Sequence, residues 1–308
     1  MSMRKAGKAS TIKHPKFAPL TLDSTFKKAF ANEQCTELLV FLLNAFLGKV
    51  LKKPIVDVNI VQPVQQAKTR HGRGAVFDIH CEDAAGSRFI VEMQVEEQAC
   101  FIKRTFFYLC LAVINLAKKG KKESKGKKIP YDFNIPVVYT LSFLNFDLDF
   151  GKGCDEVIQY LSLSNDLHPK VRYDVMHMVY VRLTRFNKTE AECETIQDKI
   201  LFSLKNMHEL KSCPKNFRER ELRDMFEIAR ITNFTKEEIM DYEREMMAYS
   251  DRYHAMEFAK EKAEASGMAR GLERGKKEIA RNMLGDGVEP AVVARYTKLP
   301  LKAVKALR

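Results

Sequence analysis

The sequence predicts a mixed α/β fold: a β-sheet core flanked by helices, followed by an α-helical C-terminal region. Three observations carry this. The stretch Ala75–Val95 alternates with a period of two in each of its halves, the pattern of two paired strands. Around it the patterns run helix, strand, hairpin, helix, strand, an order that suits a mixed sheet with helical flanks. From Glu190 onward the periodic segments are helical.

The elements follow in order. Residues 1–19 are basic, hold Pro15 and Pro19, and read as a disordered tail. A helix is expected from Asp23 or Ser24, either of which suits an N-cap. Phe26 and Phe30, then Leu38, Leu39, Leu42, Leu43 and Phe46, supply its apolar positions, with a break near Asn32 and a stop at Gly48. Ile55–Pro63 alternates as a strand. In the hairpin, Phe77, Ile79 and Cys81 alternate with Val76, Asp78 and His80; then Phe89, Val91, Met93 and Val95 alternate with Ile90, Glu92 and Gln94. Pairing Asp78 with Glu92 sets Cys81 opposite Phe89 and Asp83 opposite Ser87. Ala84-Ala85-Gly86 is then a loop with glycine last, a favoured hairpin connection.

Residues 99–118 carry Phe101, Thr105, Tyr108, Leu109, Ala112 and Leu116 at helical spacing, with Arg104 among them. A lysine-rich loop, 118–128, closes that helix. Ile135–Phe143 is apolar, β-branched and suited to a buried strand. Val171–Leu183 alternates as another, with His177 a satisfied core or edge histidine. Helical patterns occupy 194–210 and 217–231. Thr235 and Glu238 form a capping box that opens a charged helix reaching Leu284, interrupted by Gly267, Gly271 and Gly275. Gly287, Pro290 and the turn TKLP then mark out a miniature helix-turn-helix.

Composition narrows the class. Hydrophobic residues make up 45% of 308 residues, ordinary for a globular chain. No apolar run approaches the ~20 residues that span a bilayer. The basic N-terminus has no apolar core, so it is not a secretory signal. Seven cysteines without CxxC spacing suit reduced thiols of a cytoplasmic protein and argue against structural zinc. Of the net charge of +12, nearly all sits in residues 1–16 and 118–128, and the remainder is close to neutral. Such segments suit loose contact with a phosphate backbone, and equally well solvated surface.

The chemistry concentrates on one hairpin face. Asp78, Glu92 and Gln94 share it, while the opposite face is apolar enough to bury. Directly opposed residues have Cβ atoms roughly 4.5–5.5 Å apart. Two carboxylates at that separation repel unless a cation lies between them, and a hard divalent ion such as Mg²⁺ suits them. The Met93 carbonyl, between Glu92 and Gln94, is a candidate third ligand. Gln94 is neutral and orients a water or a phosphate oxygen by hydrogen bonding. His80 continues the same face. The plainer alternative is a pair of acids on the exposed face of an amphipathic hairpin. Arg104 either reaches a phosphate or pairs with an acid. Lys27 and Lys28 are either solvated helix charges or contacts to a nucleic acid. Lys121 and Lys122, in the lysine loop, are candidates for phosphate contact without sequence specificity.

LTLDSTFKKAF, the hairpin VFDIHCED…FIVEMQV, FIKRTFFYL and IPVVYTLSFLNF together resemble the recombination-promoting nuclease family, also called the PD-(D/E)XK nuclease family transposases, over roughly residues 20–290. The resemblance implies a restriction-endonuclease-like core at 20–188, a helical region with the glycine repeat at 189–275, and a small helix-turn-helix-like unit at 276–308. It implies a Mg²⁺-dependent DNA endonuclease linked to transposition and recombination of mobile elements. Asp78 and Glu92 would be the acids of the signature. Gln94 holds the position usually taken by lysine, a Glu-x-Gln variant, and Asp23 matches an acid of the first helix. The implied partner is DNA, with a homodimer as the implied assembly. TKLP stands where relatives have Thr-Gly-Leu-Ser, so Lys298 takes the place of a glycine and puts a tight left-handed turn in question. The alternative is a catalytically degenerate DNA- or protein-binding module that dimerises through its C-terminal helix.

Overall fold

The hairpin forms with the pairing that its sequence requires. In the computed structural model, which describes residues 14–61, 79–97, 100–123 and 135–307, β2 (Ile79–Glu82) pairs antiparallel with β3 (Arg88–Gln94). Cys81 faces Phe89 and Ile79 faces Val91. The loop closes as expected: the Asp83 amide donates to the Ser87 carbonyl at 3.2 Å, and Gly86 has φ +82°. The Asp83 carboxylate accepts from the amides of Ala85 and Ser87 at 3.0 and 2.8 Å, which fixes the turn from inside.

Two further strands extend this hairpin in parallel. β4 (Val138–Leu144) lies along β3, and β6 (Arg172–Arg182) lies along β4. β1 (Asn59–Ile60) and β5 (Ile158–Ser164) pair antiparallel at the two edges, giving the order β1-β2-β3-β4-β6-β5. The first edge is shorter than the sequence suggests, since the Ile55–Pro63 alternation yields two paired residues and ends outside the described ones. The connection from β3 to parallel β4 needs a crossover, and α3 (Phe101–Glu123) begins it. That helix continues into the expected lysine loop.

Helices cover both sheet faces. On one lie α1 (Asp23–Phe30), α2 (Glu37–Leu47), α4 (Ile196–Asn206) and α5 (Arg220–Ile228), packed on Phe89, Val91, Leu141, Phe143, Val179 and Val181. On the other, α3 lays Leu109 and Ala112 over Ile90 and Val138, and Phe101 over Leu144 and Tyr180. Asn44, which breaks the apolar run of α2, uses its amide to donate to and accept from the backbone of Ile55, both at 2.8 Å.

Three local outcomes differ from expectation. Neither Asp23 nor Ser24 caps α1; Leu22 is at the N-cap and Asp23 starts the helix, where its charge suits the helix dipole. The end of the expected tail belongs to the fold: Phe17 is fully buried edge-on to Phe226, and Ala18 donates to the Ala229 carbonyl at 2.8 Å. Lys298 does adopt the left-handed turn, at φ 59° and ψ 21°. A lysine there costs on the order of 1 kcal/mol that glycine would not.

The chain divides into two compact units, residues 1–243 and 244–308. The helices of 196–228 therefore pack within the same unit as the sheet. α6 (Lys236–Gly285) opens with the capping box: Thr235 donates its amide to Glu238 at 2.7 Å, and the Glu238 amide donates to the Thr235 hydroxyl at 3.2 Å. In the second unit, Ala280 of α6, Val293 of α7 (Pro290–Thr297) and Val304 of α8 (Leu301–Lys305) form a small core.

Candidate active site

β3 presents Glu92 and Gln94 to the sheet face beneath α3. This face is not open to solvent, as an amphipathic hairpin alone would leave it: Glu92 is only 7% exposed and His80 is buried as well. The reason is tertiary. Ile90 shares the face with Glu92 and draws the apolar stripe of α3 down onto the sheet.

Glu92 lies in a polar row that crosses three strands. Its register partner on β4 is Ser142, whose own partner on β6 is Tyr180. Tyr180 is fully buried, and its hydroxyl shares a 2.5 Å hydrogen bond with Thr105 of α3. Burial pushes the Tyr180 phenol up to about 12, the hydrogen bond with Thr105 opposes this, and the nearby Glu92 carboxylate adds to it. Tyr180 therefore stays protonated at neutral pH beside a carboxylate. Ser142 escaped the sequence reading; Tyr180 entered it only as a strand-alternation position and Thr105 as a helix-stripe position. The available signal was a hydroxyl on that stripe, since a buried hydroxyl needs a partner.

Gln94 is held at both ends of its amide. Its Oε1 accepts from Nη2 of Arg104 at 3.1 Å, and its Nε2 donates to the Glu96 carbonyl at 3.2 Å. Arg104 thus meets an amide, where a phosphate or an acid was expected. The guanidinium lies over the rings of Phe101 and Tyr108, at 5.0 and 5.8 Å. These rings belong to residues three before and four after Arg104, the neighbours on one helix face. The backbone of Gln94 is pinned too, its carbonyl accepting from Asn145 at 2.9 Å.

The remaining candidates fall elsewhere. α1 packs on the sheet face opposite Glu92. Asp23 there pairs with Lys27 at 2.8 Å, and Lys28 pairs with Glu238 at 2.7 Å, with its ammonium 4.1 Å over the Phe234 ring. Met93 turns its side chain into the main core. His177 is a satisfied core histidine, stacked on Tyr139 and 2.9 Å from Asp174. Asp78 lies outside the described residues, as do the side chains of Lys121 and Lys122 and the loop beyond them. Among the described residues, no three of His, Cys, Asp and Glu are grouped to hold a metal.

A six-stranded mixed sheet with helices on both faces, and an acid on the second strand of its central hairpin, is a restriction-endonuclease-like PD-(D/E)XK fold. The family model described as PD-(D/E)XK nuclease family transposase matches residues 20–259. The chain belongs to that family. No curated protein and no solved structure matches it. Membership makes the function nuclease- and transposase-related. Among the described residues, no helix is long and apolar enough to cross a membrane.

Proposed function

We propose that the protein is a metal-dependent DNA endonuclease that hydrolyses phosphodiester bonds and serves transposition or recombination of mobile elements. The observation that supports it most is Glu92, an acid buried on the second strand of the hairpin; Asp78, which the sequence pairs with it, is proposed as its partner acid. An all-oxygen set of Asp78, Glu92 and the Met93 carbonyl fits Mg²⁺, which would lower the pKa of a bound water and neutralise phosphate charge.

The chain's own residues would do the rest. Arg104 supplies the positive charge that Gln94 lacks, directed at the scissile phosphate. Its planar, always-charged fork suits a phosphate, and stacking on Phe101 and Tyr108 preorganises it. Gln94 acts through Arg104, holding it at the strand end. Tyr180, kept protonated, hydrogen-bonds with Thr105 and fixes α3 over the row. Asp23, on the opposite sheet face, acts indirectly by holding Lys27 through their ion pair. Lys27, Lys121 and Lys122 steady the phosphate backbone, and Lys28 orients α1 through Glu238. The seven cysteines are all free thiols, which fits a reducing cytoplasm.

A second reading, a DNA-holding module that no longer cuts, draws on the Gln94 amide being tied at both ends. It would dimerise through α6, where Phe258, Met268 and Leu272 are exposed. Supercoiled plasmid incubated with Mg²⁺ separates the two. Nicking that is lost with chelator and in Glu92→Ala supports the nuclease. Plasmid that is shifted but uncut in every lane supports the holding module.

A further inference from the structure

The near-neutral balance outside the two lysine-rich segments conceals a third basic region. From Pro290 to the end, the chain carries Arg295, Lys298, Lys302, Lys305 and Arg308 and no acid. The structure gathers the first four on the small unit built on Ala280, Val293 and Val304. Arg295, Lys298, Lys302 and Lys305 are all exposed. Tyr296, 67% exposed, stands beside them, its ring 5.7 Å from the Arg295 guanidinium. The nearest acids in sequence, Asp286 and Glu289, precede α7. The region is therefore polarised, with acids before α7 and bases along the end of α7, the turn and α8.

Lys298 sharpens the point. It occupies the turn between α7 and α8 in the left-handed conformation, where glycine would sit without strain. The turn gains nothing from a lysine side chain, so what that side chain adds there is exposed charge. α7 and α8 place Val293 and Val304 in the unit's own core and leave Val292 and Leu301 partly exposed. Beside these their outward sides carry the four charges and the Tyr296 ring, groups that grip phosphates and lay a flat ring beside a sugar or base.

We propose that the unit formed by α7, the Lys298 turn and α8 is a second DNA-binding surface that holds the duplex backbone through Arg295, Lys298, Lys302 and Lys305 without reading sequence. It rests on the reading of DNA as the substrate and adds a grip outside the sheet. Backbone contacts of this kind position a protein on a duplex and make its affinity depend on salt.

The test uses the full chain, in chelator so that nothing is cut, and fluorescence anisotropy of a labelled duplex across a salt series. Variants are Lys298→Gly alone and the set Arg295→Gln, Lys298→Gly, Lys302→Gln and Lys305→Gln together. Each phosphate contact contributes about 0.9 to the slope of log affinity against log salt. Lys298→Gly should lower the slope by about 0.9, and the fourfold variant by about 3 to 4. Lys298→Gly relieves the left-handed strain, so it folds at least as well as the parent and decides the matter if the fourfold variant does not fold. Unchanged affinity and slope in Lys298→Gly overturn the proposal. So does a fourfold variant that keeps duplex binding while losing binding to single-stranded RNA or to anionic vesicles. If the parent binds duplex with a slope that these variants lower while it fails to nick plasmid, the failure lies in the nuclease reading and this surface stands.

Discussion

Arg104→Ala removes the cation that is hydrogen-bonded to Gln94 at the end of β3. Its guanidinium is hydrogen-bonded to Gln94 at 3.1 Å and stacked at 5.0 Å on Phe101, so it is fixed before substrate arrives. A unit charge about 5 Å from a phosphate, at an effective dielectric of about 20, contributes about 3 kcal/mol. With each 1.36 kcal/mol worth about tenfold, Arg104→Ala should cut kcat/KM for plasmid nicking by roughly a hundredfold. Gln94→Ala removes the tether and leaves the charge, so its loss should be near tenfold, about the 1.5 kcal/mol of one hydrogen bond to a charged group. Gln94→Lys in the Arg104→Ala background returns an ammonium to the strand and should recover most of the rate. Full activity in Arg104→Ala, or no recovery in the double variant, refutes the idea that Arg104 stands in for a lysine.

Other expectations concern stability. Arg182, 1% exposed, donates to Asp147 and to the carbonyls of Leu148, Cys154 and Glu156, so Arg182→Leu strands several acceptors. It should cost about 3–5 kcal/mol in denaturant unfolding; a loss under about 1 kcal/mol would show that the loop relaxes without it. Phe17→Ala should cost about 3–5 kcal/mol, since its ring is fully buried against Phe226, and unchanged stability would contradict a folded N-terminal segment. Asp147 has its carboxyl pKa lowered by the Arg185 hydrogen bond, against an opposing burial effect, with the Arg185 and Arg182 charges and the Arg182 hydrogen bond helping. A lowered carboxyl pKa stabilises fully above the ordinary value of about 3.9 and loses that contribution as pH falls through the folded value. Arg185→Gln should flatten the fall in melting temperature across that acid window; an unchanged acid slope would exclude the pair.

The hairpin was legible because two local signals agree. The alternation fixes which residues share a face, and Gly86 with Asp83 fixes where the chain turns, so the pairing of Cys81 with Phe89 follows. The capping box at Thr235 and the Pro290 start of α7 are local for the same reason. Burial of the Glu92 face was not legible, because it depends on α3 returning over Ile90. The Tyr180–Thr105 contact joins residues 75 apart, and no spacing rule reaches that far. Phe17 misled for a like reason: prolines on both sides read as a tail, while its partner Phe226 lies more than 200 positions on. β5 is an edge strand whose residues are half-buried or, at Leu163 and Ser164, exposed, and its alternation is too weak to mark it. At Lys298 the residue type argued against a turn that the surrounding helices impose.

In the proposed site Asp78 and Glu92 hold one divalent ion between them. Calorimetric titration of Mg²⁺ into the parent chain, Asp78→Asn and Glu92→Gln tests it without relying on cleavage. The parent should show one site, and either variant should lose it while still folded by circular dichroism. Mg²⁺ binding that survives unchanged in both folded variants would contradict it.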